Sequence, residues 1–249
     1  MPYRELSPAT QERLRSFDTP TIANAIELFG VRPRHTGYMD ARIRALFPEL
    51  GPIVGCASTA TMHCAFPRPA GGTYHELDEQ IRRFRELPGP AIVVIQDLDD
   101  PPVAATFGEV MCSSYQAFGA VGIITSGAAR DLDQVRRLKF AAFAGGVICA
   151  HGYTHIVSIH QPVRVGGLTV HPGDWLHADA NGVINIPAEI ADEVPEVAAE
   201  YAAAEAVLLD YLKQGKPDPA GYAEARRELV RRIEELGRRV RKPGQALVG

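Results

Sequence analysis

The chain has 249 residues, 46% of them hydrophobic, with 26 basic and 30 acidic side chains for a net charge of −4. That length and apolar content allow one sizeable core with an appendage. The mild negative balance gives no basic face for nucleic acid or anionic lipid, and no apolar run reaches the roughly 18 residues of a membrane span.

The opening stretch, "MPYRELSPATQERL", is polar and has no signal-peptide hydrophobic segment. Ser7 to Phe29 reads as helix, broken near "DTPT", where Asp18 or Thr19 before Pro20 makes a good helix start and Gly30 a stop. "HTGYMDARIRALFPELGP" reads as irregular, and "IVGCASTATMHCAF" as strand. "AGGTYHELDEQIRRFREL" reads as a loop and then an amphipathic helix. Strand and helix then alternate: "AIVVIQ", the helix of "TFGEVMCSSYQAFG", "AVGIITSG", the helix of "RDLDQVRRL", and short apolar pieces in "FAAFAGG" and "VICA". From Thr154 the pattern changes to short strands with turns at Gly166-Gly167, Pro172-Gly173 and Asn181-Gly182. Helix is expected from Ala188 to about Lys213, then a "QGKPDPAG" linker and a last helix from about Tyr222 to Val240. This divides the chain into a mixed α/β domain over 1–214 and a C-terminal linker and helix over 215–249. Tyr222, Leu229, Ile233, Leu236 and Val240 give the last helix a narrow apolar stripe for docking.

Two apolar strands run into charged residues: "AIVVIQ" into Asp97, Asp99 and Asp100, and "VGIITSG" into Arg130 and Asp131. The carboxyl ends of strands in open α/β sheets are where ligands collect. Between them "FGEV" places Gly108 and then Glu109 at a helix start, whose free N–H groups suit a carboxylate or phosphate. Each feature alone has a plain structural explanation, since an acid opening a helix is favoured by the helix dipole. Together they describe an anion cradle, a fixed cation and carboxylates, a divalent-metal site for an anionic substrate.

The four cysteines, Cys56, Cys64, Cys112 and Cys149, form no CxxC pair and read as reduced, buried packing residues of a cytoplasmic protein. His151 and His155 lie four apart in "HGYTH", but Gly152 and the β-like context exclude a helical metal pair. Gly71-Gly72 and Gly145-Gly146 are isolated, and no nucleotide loop or nucleophile elbow is present. Only four lysines occur, Lys139, Lys213, Lys216 and Lys242, and none is well placed for imine chemistry, so a metal is the expected electrophile. Glu205 falls among Val194, Val197, Tyr201, Leu208 and Leu212, the apolar stripe of its helix, and reads either as a solvated edge residue or as a group reaching a subunit contact.

These residues resemble the RraA-like family, which includes the metal-dependent 4-hydroxy-4-methyl-2-oxoglutarate/4-carboxy-4-hydroxy-2-oxoadipate aldolases. The family's enzymes carry an acid, twenty residues, then Arg-Asp; here Glu109 precedes Arg130-Asp131 by that spacing. "DTPTIANAIELFG" resembles the family's N-terminal helix, and "GGLTVHPGDWLHADANGVINIP" its late β-region. The likeness runs from about Asp18 to Leu212, with Glu109 where aspartate is usual, Asn181 where aspartate is frequent, and a longer C-terminal helical segment. The resemblance implies an α/β fold of the swivelling β/β/α type, with central β-structure flanked by helices, in homotrimers or homohexamers with sites between subunits. It implies Mg²⁺ or Mn²⁺ held by Asp131, with Glu109 supporting the ion's water ligands, and Arg130 on a substrate oxygen. The N–H groups of Gly108, Glu109, Val110 and Met111 would cradle a pyruvyl carboxylate. Glu205 from a neighbour, or a water, would act as base. The expected activity is a class II-type aldolase releasing pyruvate from a 4-hydroxy-2-oxo acid, or a related decarboxylase acting on oxaloacetate. The alternative is a non-catalytic regulator binding a protein partner such as an RNase; the type best known in the family lacks the aspartate after the arginine.

Overall fold

The structure is a computed structural model and describes residues 4–68 and 76–241. The Gly71-Gly72 pair and Lys242 lie outside the described residues. The elements in chain order are α1 (Pro8–Arg15), α2 (Thr19–Phe29), β1 (Arg44–Ala45), β2 (Ile53–His63), α3 (Leu77–Arg82), β3 (Ala91–Asp97), β4 (Ala105–Phe107), α4 (Glu109–Ala117), β5 (Gly122–Thr125), β6 (Ala128–Ala129), α5 (Leu132–Arg137), β7 (Ala141–Ala144), β8 (Gly146–Val147), β9 (His155–Ile159), β10 (Val163–Val165), β11 (Leu168–Val170), β12 (Trp175–Asp179), β13 (Gly182–Ile186), α6 (Val194–Lys213) and α7 (Pro219–Val240).

The main sheet has the order β1-β7-β5-β3-β2-β12-β13, with β9 also paired to β2. β2, β3, β5 and β7 are mutually parallel, and the remaining pairs are antiparallel. The central strands are continuously apolar because both faces are covered. Along β3, Val93 and Ile95 face a core shared with Phe107, Met111, Tyr115 and Val135. Ile92 and Val94 face the opposite core, with Val163, Val165 and Val170 of the β10–β11 hairpin. Each such side chain, fully buried, contributes about 1.5–3 kcal/mol.

Beyond the carboxyl ends of β3, β5 and β7 the chain adds a second, three-stranded parallel sheet in the order β4-β6-β8. α4 follows β4, and α5 follows β6. The helix starts after β4 and β6 are therefore brought side by side, at the edge expected to hold ligands.

The late β-region secures the junction between α1 and α2. Asp179 Oδ2 accepts from Thr19 N–H at 2.9 Å, while Oδ1 accepts from Asn181 N–H at 2.8 Å across the β12–β13 turn. Asn181 Nδ2 also donates to Asp179, which an aspartate there could not do. His177 Nε2 donates to Leu14 O at 3.1 Å, so its Nδ1, 2.9 Å from Thr19 Oγ1, is the acceptor. The buried ring is neutral, and burial holds its pKa below the ordinary histidine value.

The chain forms two compact units: residues up to Thr19 with Gly37–Ala188, and Pro20–Thr36 with the chain from Glu189 on. In the second unit Arg239 pairs with Glu200, and Arg241 Nε donates to Leu28 O at 3.1 Å. Three expectations need correction. α6 starts at Val194, with Pro195 in its first turn, after turns rather than helix from Ala188. α7 starts at Pro219, three residues before Tyr222, because Asp218 Oδ1 caps the N–H groups of Ala220 and Gly221 at 2.9 and 3.0 Å. Cys149 is exposed, unlike the other three cysteines, because it lies just past β8 where the chain leaves the small sheet. Among the described residues no helix is long and apolar enough to cross a membrane.

Burial lowers the folded-state pKa of both His177 and His160. The unfolded chain then binds protons that the folded chain refuses, so stability falls as pH drops through the ordinary histidine range near about 6.5. The melting temperature is expected to decline between about pH 7.5 and 5.5 and to decline less steeply in His177→Gln. An equal slope in that variant would remove His177 from the explanation.

Candidate active site

Asp131 occupies the N-cap position of α5 in the left-handed conformation, φ 55° and ψ 42°, but its side chain does not cap that helix. Its Oδ2 instead accepts from Glu109 N–H, the first amide of α4, at 3.0 Å. Aspartate tolerates this backbone region better than most residues, yet the placement stores strain of about 1–3 kcal/mol. Gly108 makes the contact possible: a Cβ there would lie 2.4 Å from Asp131 Oδ2 and 3.0 Å from Arg130 Cγ. Its φ of −154° is ordinary extended backbone, so space rather than conformation demands the glycine.

Arg130 is fixed through its backbone, with its N–H donating to Phe107 O at 3.0 Å. Its Nε stands 3.7 Å from Asp131 Oδ2, beyond hydrogen-bond range, and both side chains are partly exposed, at 25% and 31%. The adjacent guanidinium and carboxylate are thus not sealed onto each other. Asp131 Oδ1 and the N–H groups of Val110 and Met111 have no partner among the described residues. Of the amides from Gly108 to Met111 expected to form a cradle, that of Glu109 is taken by Asp131. The Glu109 side chain opens α4 and faces solvent. Tyr115 anchors that helix from beneath, donating to Gln80 Oε1 at 2.7 Å.

Glu205 belongs to the second unit, half-buried on α6 near Tyr201, whose phenol pKa is raised by burial and then by the Glu205 charge. The apolar stripe around it is buried only in its first half: Val194 and Val197 are covered, whereas Leu212 is 41% exposed. Lys139 lies exposed past the far end of α5.

The acids at the end of β3 do different work. Asp97 Oδ1 accepts from Asp99 N–H at 2.9 Å, and burial raises its pKa. Asp99 Oδ2 accepts from the N–H groups of Cys64 and Ala65 at 2.7 and 3.1 Å. Cys64, Asp97 and Asp99 bring potential ligand atoms within 4.8 Å of one another. Asp97 and Asp99 already accept these backbone donors, and burial pushes the Cys64 thiol up to about 11. Asp97, Asp99 and Asp100 line a cavity of about 300 Å³ with Arg42, Gln96 and Arg164. A broader groove of about 750 Å³ between Asp40–Arg44 and Ala144–Gly146 likewise excludes Arg130 and Asp131.

Fold and site together define a mixed α/β protein with an acid–Arg–Asp edge built over two crossovers. The chain belongs to the RraA-like family: the family model described as Aldolase/RraA matches residues 19–185. It is similar to protein DlpA of Legionella pneumophila, 27% identical over 145 residues, covering 57% of this chain and 22% of that protein. A Halalkalibacterium halodurans protein named "Putative 4-hydroxy-4-methyl-2-oxoglutarate aldolase" is 32% identical over 105 residues, 42% of this chain and 49% of that one. The chain therefore spans about a fifth to a half of the length of these relatives. Among solved structures, an uncharacterized protein from Pseudomonas syringae pv. tomato superposes with a TM-score of 0.71 at 20% identity, covering 91% of this chain and 97% of that one. Streptomyces coelicolor RraAS2, described as an unusual member of the RNase ES inhibitor RraA family, gives 0.66 at 20% identity, covering 82% and 97%. These likenesses show the fold.

Gly108→Ala is expected to destabilise the fold by about 1–3 kcal/mol, the usual cost of forcing atoms into filled space. Glu109→Ala, which removes an exposed side chain, is expected to stay within about 0.5 kcal/mol of the parent. Denaturant titration measures both. A neutral Gly108→Ala would mean that Asp131 is not held against this backbone.

Proposed function

We propose that the chain is a divalent-metal-dependent carbon–carbon lyase that cleaves a 4-hydroxy-2-oxo acid and releases pyruvate. The observation that carries this reading is Asp131, locked by the Glu109 amide with Oδ1 unengaged, beside an unsealed Arg130 and two free helix-start N–H groups. Asp131 and Glu109 offer only carboxylate oxygens, the donor set of a hard cation such as Mg²⁺ or Mn²⁺. The relatives named as aldolases support the same class of chemistry.

Asp131 would hold the ion, with Glu109 beside it. Bound there, Mg²⁺ or Mn²⁺ supplies Lewis-acid polarisation of the substrate's 2-oxo group. The N–H groups of Val110 and Met111, at the positive end of α4, bind the adjoining carboxylate. Arg130 faces the 2-oxo oxygen, where negative charge develops as the C3–C4 bond breaks and its electron pair moves into a pyruvate enolate. The 4-hydroxyl proton passes to a base, leaving a carbonyl product, and protonation at C3 completes pyruvate. We assign the base to Glu205 of a neighbouring copy, in a homotrimer or homohexamer. Oxaloacetate would lose CO₂ through the same enolate.

Screening 4-hydroxy-2-oxo acids and oxaloacetate with Mg²⁺ or Mn²⁺ and scoring pyruvate tests the reading. Turnover is expected to vanish on chelation and return with the metal. Full activity after chelation, with borohydride trapping a substrate adduct, would point to an imine instead. Failure of every oxo acid to turn over would favour the non-catalytic reading. Arg130→Ala is expected to cost about 3 kcal/mol of transition-state stabilisation while leaving metal binding intact. Glu205→Gln is expected to slow turnover by about 10²–10⁴-fold with assembly unchanged, and mixing it with an Asp131→Ala chain should restore part of the rate. An unchanged rate for Glu205→Gln would reduce that residue to a solvated edge group.

A further inference from the structure

His63 closes β2 and His155 opens β9, and the two stand directly opposite each other in the antiparallel register. Their ring centroids are 6.0 Å apart and their planes within 4° of parallel. Two imidazoles sharing one tetrahedral ion, each with a metal–nitrogen bond of about 2.0–2.1 Å, have centroids about 5 Å apart. The observed spacing is within about 1 Å of that arrangement, but rings stacked this way do not aim their in-plane lone pairs at one point, so each must turn about its Cβ–Cγ bond to share an ion; both are partly exposed.

The tautomers fit the same purpose. His155 Nδ1 lies 2.8 Å from Tyr153 O, a carbonyl that can only accept, so Nδ1 carries the hydrogen and Nε2 the lone pair. His63 Nδ1 lies 2.9 Å from Asp99 Oδ1. The Ala65 amide also lies 3.2 Å from this nitrogen, but it has a better acceptor in Asp99 Oδ2 at 3.1 Å. A proton on His63 Nδ1 is the arrangement that sets no lone pair against the carboxylate. Asp99, with a side chain only 7% exposed and fixed by the Cys64 and Ala65 amides, therefore orients His63 as a carboxylate orients a metal-ligating histidine.

We infer that His63 and His155 form a second metal site, open to water and taking a borderline transition ion such as Zn²⁺, with Asp99 as the positioning residue. Imidazole nitrogen favours Zn²⁺, Co²⁺, Ni²⁺ or Cu²⁺ over Mg²⁺, which separates this pair from the carboxylate edge at Asp131. A bound ion would clip the end of β2 to β9 across the sheet.

Calorimetric titration of the full chain with Zn²⁺ in saturating Mg²⁺ tests the site, with ring ¹⁵N shifts of the histidines as a second readout. One Zn²⁺ per chain is expected, moving the Nε2 resonances of His63 and His155. His63→Gln and His155→Gln should each weaken binding at least about tenfold, and Asp99→Asn by about 10–100-fold. Because Asp99 also holds two backbone amides, its variant counts only if its thermal unfolding remains cooperative; the two histidine variants carry the test alone if it does not. Wild-type Zn²⁺ affinity in both histidine variants, or a shift confined to other histidines such as His151, would overturn the inference.

Discussion

One hydrogen bond, from the Glu109 amide to Asp131 Oδ2, decides what this edge of the protein can do. It joins two crossovers whose residues lie 22 apart in sequence, and it forms only because Gly108 leaves the space. Asp131 thus serves the neighbouring crossover rather than capping its own helix, with its backbone left-handed and Oδ1 unengaged among the described residues. It also keeps Arg130 at 3.7 Å rather than in a closed ion pair. A tight surface pair would contribute little to stability and would occupy both groups.

The scaffold beneath explains how the two helix starts meet. β3, β5 and β7 are parallel and buried on both faces, so their carboxyl ends share one edge. The small β4-β6-β8 sheet extends that edge by a few residues and sets the phase at which α4 and α5 begin. At the other end of the chain order, Asp179 and His177 spend their polar groups on the α1–α2 junction. The late motif is thus a joint of the fold, whereas the acid–Arg–Asp spacing belongs to the proposed site.

Much of this was legible in the sequence. Continuous apolar runs marked β3 and β5, and the charged residues following them marked the edge. The placing of Glu109, Arg130 and Asp131 at strand-to-helix changes was readable because local pattern is strongest there. The small sheet was not, since strands of two or three residues carry no periodicity. Nor was the bond from the Glu109 amide to Asp131, which depends on a contact between crossovers. Asp218-Pro219 is a helix start of the ordinary capped kind, hidden in the sequence by the Gly- and Pro-rich linker around it. His151 is the histidine near His155 in sequence, while His63 is brought opposite it only by strand pairing.

The central claim is that Asp131 is the carboxylate that holds a divalent cation. Asp131→Asn keeps the shape, the left-handed backbone and an oxygen for the Glu109 amide, and removes only the charge. Electron paramagnetic resonance of Mn²⁺ binding compares it directly with the parent protein. The account predicts saturable binding by the parent and its loss in Asp131→Asn, with both chains equally folded. Equal Mn²⁺ affinity in the two would contradict it.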